Sequence, residues 1–361
     1  MLYREVAYSG AAAFCVDLFT SHGFSRSESA LITDVLLCAD LWGIESHGIQ
    51  RLMRYHNEIK NGMVSVKSRP ELAAHTPVSA VIDGCGGMGQ LISVRAMNLA
   101  IKKAKTSGVG MVAVRNSNHY GIAGYYTKMA VKKDLMGICM TNTEAIGVPL
   151  FGKKAMLGTN PISLGFPAEP VGFIYDAATT VVPRGKVEVY SKSEKPLPDG
   201  WAVDAAGQPA SDAAAVLENI MHKLGGGISP LGGGGELLGG HKGYGLGIIV
   251  DLFTGILSSG KTSNHLSLRP DRSDIAHFFM AVDYGIFGDK AEIKAKFSTF
   301  LQELRDSPKA DGQKRIYTHG EKEAGTMAKR RKSGTIPISE KTLGEMREIA
   351  GLQKLSFPAF L

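Results

Sequence analysis

Apolar residues recur along this chain in two rhythms. Near the N-terminus the rhythm is helical: Leu31, Val35, Cys38 and Trp42 fall at three- and four-residue intervals. Ser25 and Glu28 stand just before them at the spacing of a capping box, in which a serine hydroxyl and a glutamate carboxylate satisfy free backbone N–H groups. Gly43 is a natural stop. A second helix is expected from about Ser46 to about Lys60, where Asn61-Gly62 breaks it. On such a helix His47, Arg51 and Tyr55 share one face.

From about Pro77 short apolar runs alternate with helical stretches. Strands are expected at 78–82, 111–114 and 136–141, and helices at 91–105 and 123–133. That alternation argues for an α/β or α+β core. Residues 185–211 read as polar and turn-rich, and 225–240 as a glycine-rich loop. A helix is expected at 245–257, with Leu246, Ile249, Phe253 and Ile256 on one face. It is too short to span a bilayer, and Asp251 interrupts it. The last hundred residues read as a strand at 278–282 and helices at 290–304 and 340–350.

Composition narrows the class. At about 150 residues per domain, 361 residues suggest two domains. The expected division is a mainly helical unit of 1–75 with 265–361, and an α/β unit of 76–264. Glycine is abundant, 44 residues, without the three-residue period of collagen. A mean hydropathy of −0.01 argues against wholesale disorder. The charge of +7 favours anionic partners. The basic run Lys329-Arg330-Arg331-Lys332 reads as a solvated helix face or loop rather than a nucleic-acid signal. Four cysteines with apolar neighbours and no C-x-x-C pair read as buried free thiols in a reducing compartment. With no secretory signal pattern at the start, a soluble cytoplasmic protein is expected.

Gly84, Gly86 and Gly89 match G-x-G-x-x-G between a strand and a helix, the setting of a dinucleotide fingerprint. No acidic residue stands between Lys102 and His119 to hold the ribose hydroxyls, so a tight turn before a helix is the favoured reading. Candidate chemistry lies elsewhere. Ser46-His47-Gly48 with Arg51 and Tyr55 offers a titratable ring and a guanidinium fork suited to a carboxylate; a solvated face with an incidental histidine weighs equally. Asn118-His119 follows a strand, where α/β proteins place ligand sites; a hydrogen-bonded loop histidine is the bland alternative. Gly158-Thr159-Asn160-Pro161 and Asp176-Ala177-Ala178-Thr179-Thr180 permit close approach of a flat ligand, or are turns. Gly239-Gly240-His241-Lys242-Gly243 before a helix makes a plausible phosphate cradle, although the order of a P-loop is absent. No metal-ligand spacing or nucleophile elbow occurs.

Taken in order, these motifs, with Gly185-Lys186 and Trp201-Ala202-Val203-Asp204, resemble the malate/L-lactate dehydrogenase family over about residues 10–350. The family includes malate, lactate, sulfolactate and ureidoglycolate dehydrogenases, diketogulonate reductase and a ketimine reductase. The resemblance implies a non-Rossmann, three-layer α/β (α+β) fold with a mixed sheet and a helical domain. It also implies NAD or NADP in an extended pose, and a homodimer. His47 matches a proposed proton donor and His119 a proposed proton acceptor, with His119 also near cofactor. Ser46, Arg51, Tyr55 and Thr159 match substrate-binding positions. Thr143, Gly158, Asn160, Asp176, Ala177, Ala178, Lys242, Gly243, Gly320 and Glu321 match cofactor-binding positions. The stretch Thr318-His319-Gly320-Glu321 departs from the family, which commonly has proline before the glycine. The implied reaction moves a hydride between nicotinamide and C2 of a small 2-hydroxy or 2-oxo acid, malate/oxaloacetate or lactate/pyruvate. The alternatives are a reductase of a sugar-derived keto acid or cyclic ketimine and, remotely, a basic nucleic-acid-binding protein. No metal, nucleic acid or membrane partner is expected.

Overall fold

The computed structural model describes residues 2–267 and 271–357. Strand β1 (Tyr3–Ala7) leads into helices α1 (Tyr8–Ser21) and α2 (Arg26–Trp42). The capping box forms: the Ser25 hydroxyl accepts from the Glu28 N–H at 3.2 Å, and the Glu28 carboxylate accepts from the Ser25 N–H at 2.9 Å. Gly43 closes α2 in the left-handed region.

The expected continuous helix from Ser46 does not form. Two 3₁₀ turns, Glu45–His47 and Ile49–Arg51, precede a shorter α3 (Leu52–Lys60). The break has a steric and polar cause. The buried Asp40 carboxylate accepts from the Ile49 N–H at 2.8 Å. It presses on Gly48 so closely that a Cβ there would lie 2.2 Å from an Asp40 oxygen. His47, Arg51 and Tyr55 therefore do not share an α-helical face.

The centre is a mixed seven-stranded sheet. In chain order its first members are β2 (Glu71–His75), β3 (Ser79–Asp83), β4 (Val109–Ser117), β5 (Met136–Thr141), β6 (Ile162–Phe166) and β7 (Phe173–Ala177). Helices α4 (Gly89–Ser107) and α5 (Ala123–Val131) sit between them in sequence and pack on one face of the sheet. A smaller lobe follows, with α6 (Arg184–Lys192), β8 (Ala202–Val203), α7 (Ala213–His222) and β9 (Gly227–Ile228). Helix α6 falls where a turn-rich stretch is expected; it buries only Val187, too little to leave an apolar rhythm. Helix α8 (Gly240–Asp251) continues through a π-turn to Ile256, and Val250 and Phe253 pack on the opposite face of the sheet.

Strand β10 (Ile275–Val282) runs antiparallel between β4 and β5, giving the order β2-β3-β4-β10-β5-β6-β7. The sequence reading places this stretch with the helical unit; it lies instead in the middle of the sheet. Helices α9 (Lys290–Asp306) and α10 (Glu321–Ser333), strand β11 (Thr335–Ser339) and α11 (Glu340–Gln353) complete the described chain. Strand β11 pairs with β1, and α11 shares a core with α1 and α2 through Phe14, Leu18, Ile32, Leu343, Met346 and Ile349. Cys15, Cys38 and Cys139 are buried free thiols; Cys85, expected inside, is exposed on a turn.

The G-x-G-x-x-G segment makes the turn between β3 and α4, and its glycines serve packing. A Cβ at Gly84 would lie 2.9 Å from the Asn116 carbonyl, and one at Gly89 only 2.2 Å from that of Asn118 and 2.4 Å from that of His119. The start of α4 is thus pressed onto the loop carrying His119. Gly89→Ala should cost about 1–3 kcal/mol through overpacking. Gly185→Ala, in α6 with nothing within 4 Å, should gain about 0.5–1 kcal/mol from helix entropy. Urea unfolding of the two variants checks this; equal effects would contradict the packing role of Gly89.

Candidate active site

The double turn after α2 and the loop after β4 bring two histidines together. The rings of His47 and His119 stack with centroids 5.8 Å apart and planes at 26°. His47 Nδ1 and the Ser46 hydroxyl lie 2.8 Å apart. His119 Nδ1 and the Tyr55 hydroxyl lie 2.6 Å apart. The Arg51 Nε donates to the Ser46 carbonyl at 2.6 Å, which folds its guanidinium back beside the pair. Ser46, His47, Arg51, Tyr55 and His119 thus converge even though no helix aligns them.

The loop that holds His119 is tied down by Asn118, whose amide donates to the Gly86 and Gly87 carbonyls at 2.9 Å each. Behind it His277 of β10 stacks on Tyr120 with centroids 4.5 Å apart and planes at 2°. Its two nitrogens are bonded to the hydroxyls of Thr141 (2.8 Å) and Ser117 (3.0 Å). His277 is a core residue that stiffens the loop.

Burial and positive neighbours favour the neutral imidazole. Burial, then Arg51 and Arg54, push His47 down to about 4. Burial, then Arg54, His47, Arg51 and His277, hold His119 well below the usual histidine range. Arg54 is a residue the sequence reading missed. It stands three positions after Arg51, on α3, and pairs with Glu58 at 2.6 Å. Arg51 itself is half-buried and has no carboxylate within ion-pair distance among the described residues. Burial and Arg54 press on its charge. A desolvated guanidinium without a counter-ion is poised for an anion.

A second group of candidates lines a cavity of about 200 Å³ beside Trp42 and Ile44, at the foot of the double turn. Asp176 of β7 accepts from the Gly124 N–H at 2.6 Å through one oxygen. Its other oxygen has no hydrogen-bond partner among the described residues, and burial raises the carboxyl to about 6. Gly320 reaches the cavity because the Ile174 N–H donates to the His319 carbonyl at 3.2 Å and a Cβ at Gly320 would lie 3.0 Å from the Gly172 carbonyl. Tyr317, His319, Lys322 and Glu323 also line it and were not singled out from sequence. Aromatic walls, an acceptor and an ammonium are a donor set that fits a ribonucleotide.

Glu321 does not line this cavity. Its carboxylate is taken by Arg305 at 2.8 Å and Arg315 at 3.0 Å, inside the protein, so its part is to anchor the start of α10. Ala177 and Ala178 lie half-buried at the end of β7.

The third group is a knot under α8. The Asn160 amide nitrogen donates to the Asp251 carboxylate (2.9 Å) and the Gly247 carbonyl (3.0 Å). Its amide oxygen accepts from the Thr143 N–H and the Ser263 hydroxyl. With its amide fully engaged and 0% exposed, Asn160 is scaffold rather than a ligand contact. The Thr143 hydroxyl accepts from the Thr159 N–H at 2.9 Å, and a Cβ at Gly158 would lie 2.2 Å from it. Helix α8 starts at Gly240, five residues earlier than expected. Cβ atoms at Gly240 and Gly243 would lie 2.2 Å from the Gly233 and Leu231 carbonyls, so these glycines permit packing. Lys242 stands exposed in the first turn of α8, without an ion pair among the described residues. A free cation at a helix start fits a phosphate.

Comparison with known proteins gives the family. A family profile described as malate/L-lactate dehydrogenase matches residues 6–347. The chain is 44% identical to malate dehydrogenase of Pyrococcus abyssi over 349 residues, 96% of this chain and 94% of that one. It is 36% identical to L-sulfolactate dehydrogenase of Methanocaldococcus jannaschii over 92% of this chain and 93% of that one. The crystal structure of malate dehydrogenase from Entamoeba histolytica superposes with a TM-score of 0.94 at 34% identity, covering 99% of this chain and all of that one.

Because His47 and His277 are held neutral, their ring proton signals should stay constant from pH 8 to about 5 in an NMR titration. Below about 6.5 the unfolded chain binds protons that these rings refuse, so folding stability should fall as pH drops from about 6.5 toward 4. A ring midpoint near 6.5 for both would contradict the burial argument.

Proposed function

Since the chain belongs to the malate/L-lactate dehydrogenase family and is a hydroxy-acid dehydrogenase of that type, we propose that it interconverts malate and oxaloacetate with NAD or NADP. The uncompensated Arg51 beside two neutral histidines is the observation that carries this reading. Arg51 holds the C1 carboxylate of the acid through paired N–H donors. Arg54, three positions further on, is already ion-paired with Glu58, so the choice of malate among the hydroxy acids is supported by the likeness to the malate dehydrogenase of Pyrococcus abyssi. The nicotinamide, when bound, accepts or returns the hydride at C2.

The protein supplies orientation and the proton path. In oxidation a neutral imidazole accepts the C2 hydroxyl proton, and in reduction the protonated ring returns it to the new alkoxide. The substrate carboxylate offsets the Arg51 charge that depresses His47, so binding of the acid raises the proton affinity of the ring that must work on it. Trp42, Asp176, Gly320 and Lys322 hold the nucleotide, and Lys242 takes a phosphate.

The working unit is proposed to be a cytoplasmic homodimer. Along α8 and the turns after it an apolar surface is left open in the single chain: Ile248, Ile249, Leu252, Ile256 and Leu257 are each at least 41% exposed, whereas Phe253 of the expected face packs inward. A second copy would cover that surface.

The test is initial rates with oxaloacetate, pyruvate and sulfopyruvate, each with NADH and NADPH. Oxaloacetate should give the highest kcat/KM. Arg51→Ala should raise its KM about 10- to 100-fold, the worth of hydrogen bonds to a charged group. An unchanged KM would remove Arg51 from the carboxylate, and a preference for pyruvate would exclude the dicarboxylate reading.

A further inference from the structure

The resemblance places Tyr55 among substrate-binding positions, but its surroundings argue for another task. Its side chain is 1% exposed, packed in the helical core against Phe19, and its hydroxyl reaches inward to His119 Nδ1 at 2.6 Å. The phenol is held protonated by burial. It therefore has one proton to donate, and an imidazole nitrogen lies at hydrogen-bond distance. Gln90, fully buried at the start of α4, stands beside the same phenol with neither amide atom otherwise partnered. An N–H from that amide to the phenol oxygen would direct the phenol proton toward His119.

The other side of the ring differs. No protein group bonds His119 Nε2 among the described residues. The backbone behind the ring cannot retreat, because Gly89 lies against the Asn118 and His119 carbonyls.

We propose that Tyr55 is a positioning residue: its hydroxyl donates to His119 Nδ1, fixing the tautomer with the proton on Nε2 and aiming that nitrogen at the substrate oxygen. This rests on the reading that His119 takes part in proton transfer. The phenol acts by fixing which nitrogen of His119 presents its proton to the substrate oxygen. It has no contact with the acid itself. In the oxidation direction His119 carries a proton on Nε2 in the resting state, so it acts as hydrogen-bond donor to the substrate oxygen. His47, whose Nε2 has no bonding partner among the described residues and whose Nδ1 faces the Ser46 hydroxyl, is then the ring with a nitrogen to accept the proton. In that tautomer the Ser46 hydroxyl accepts from His47 Nδ1–H, leaving Nε2 as the basic nitrogen. Tyr55 and Ser46 thereby set the two stacked rings in opposite tautomers. This division of labour is what lets two neutral imidazoles share one substrate oxygen.

The experiment uses Tyr55→Phe in the full chain, which keeps the ring packing and removes only the hydroxyl. Nitrogen-15 spectra of histidine-labelled protein at pH 7.5 report the tautomers directly. The wild type should show His119 protonated on Nε2 alone, and Tyr55→Phe should show a mixture. Steady-state rates with oxaloacetate should show kcat lowered about tenfold or more with KM within about threefold, the loss of orientation in acid–base catalysis. The charged and titratable groups facing His119 are Arg51 of the second 3₁₀ turn, Arg54 of α3, His47 and His277. With these unchanged, loss of a donor to the neutral ring should move the acid limb of kcat/KM upward in pH. A wild-type His119 protonated on Nδ1 would overturn the proposal. So would a Tyr55→Phe variant with altered KM but native kcat and pH profile, which would return Tyr55 to the substrate. His119→Ala with native turnover would instead remove the reading beneath it, while the tautomer spectrum still decides the Tyr55 contact.

Discussion

The contact between the Asp40 carboxyl and Gly48 holds the site together. Asp40 is near the end of α2, 1% exposed, and burial raises its carboxyl to about 8. It can sit against Gly48 only because no Cβ stands there. Its bond to the Ile49 N–H ends one 3₁₀ turn and starts the next. That reversal turns His47 toward His119 and folds Arg51 back onto Ser46. Arg330 of α10, from the basic run, locks the outside by donating to the Asp40 carbonyl and the Glu45 carboxylate. One residue of that run is therefore a structural clamp.

Electrostatics follow from the same packing. Two imidazoles and two arginines are gathered in a half-buried cluster, and of these, among the described residues, only Arg54 has a carboxylate within ion-pair distance. The rings respond by staying neutral, and Arg51 keeps a charge with no counter-ion. In the proposed function an acid substrate supplies that missing charge. Affinity for the carboxylate and readiness of the proton path are consequences of one arrangement.

Much of the scaffold was legible in the residues. The capping box at Ser25 and Glu28, the stop at Gly43 and strand Met136–Thr141 are local features, and local features leave local marks. What was hidden depends on distant partners. The 3₁₀ break at Gly48 needs Asp40; the place of β10 needs the pairings with β4 and β5. The glycines at 240 and 243 look like a phosphate loop in sequence, but in space they admit neighbouring backbone, as those at 84 and 89 do in the tight turn expected there. The candidate site was legible as a set of motifs. Its division into a histidine–arginine centre, a cavity beside Trp42 and the Asn160 knot was not. Glu321 and Asn160 illustrate the gap: their partners Arg305, Arg315 and Asp251 lie far apart in sequence or leave no pattern.

The central claim is that the stacked His47 and His119 pair moves the proton while other residues hold the nucleotide. Its most direct measurement is single-turnover oxidation of pre-bound NADH by oxaloacetate in the His47→Gln/His119→Gln double variant, with NADH affinity measured by fluorescence. The account predicts a rate lowered about 10²–10⁴-fold with NADH affinity within about threefold of wild type. A near-native rate in the double variant would contradict it.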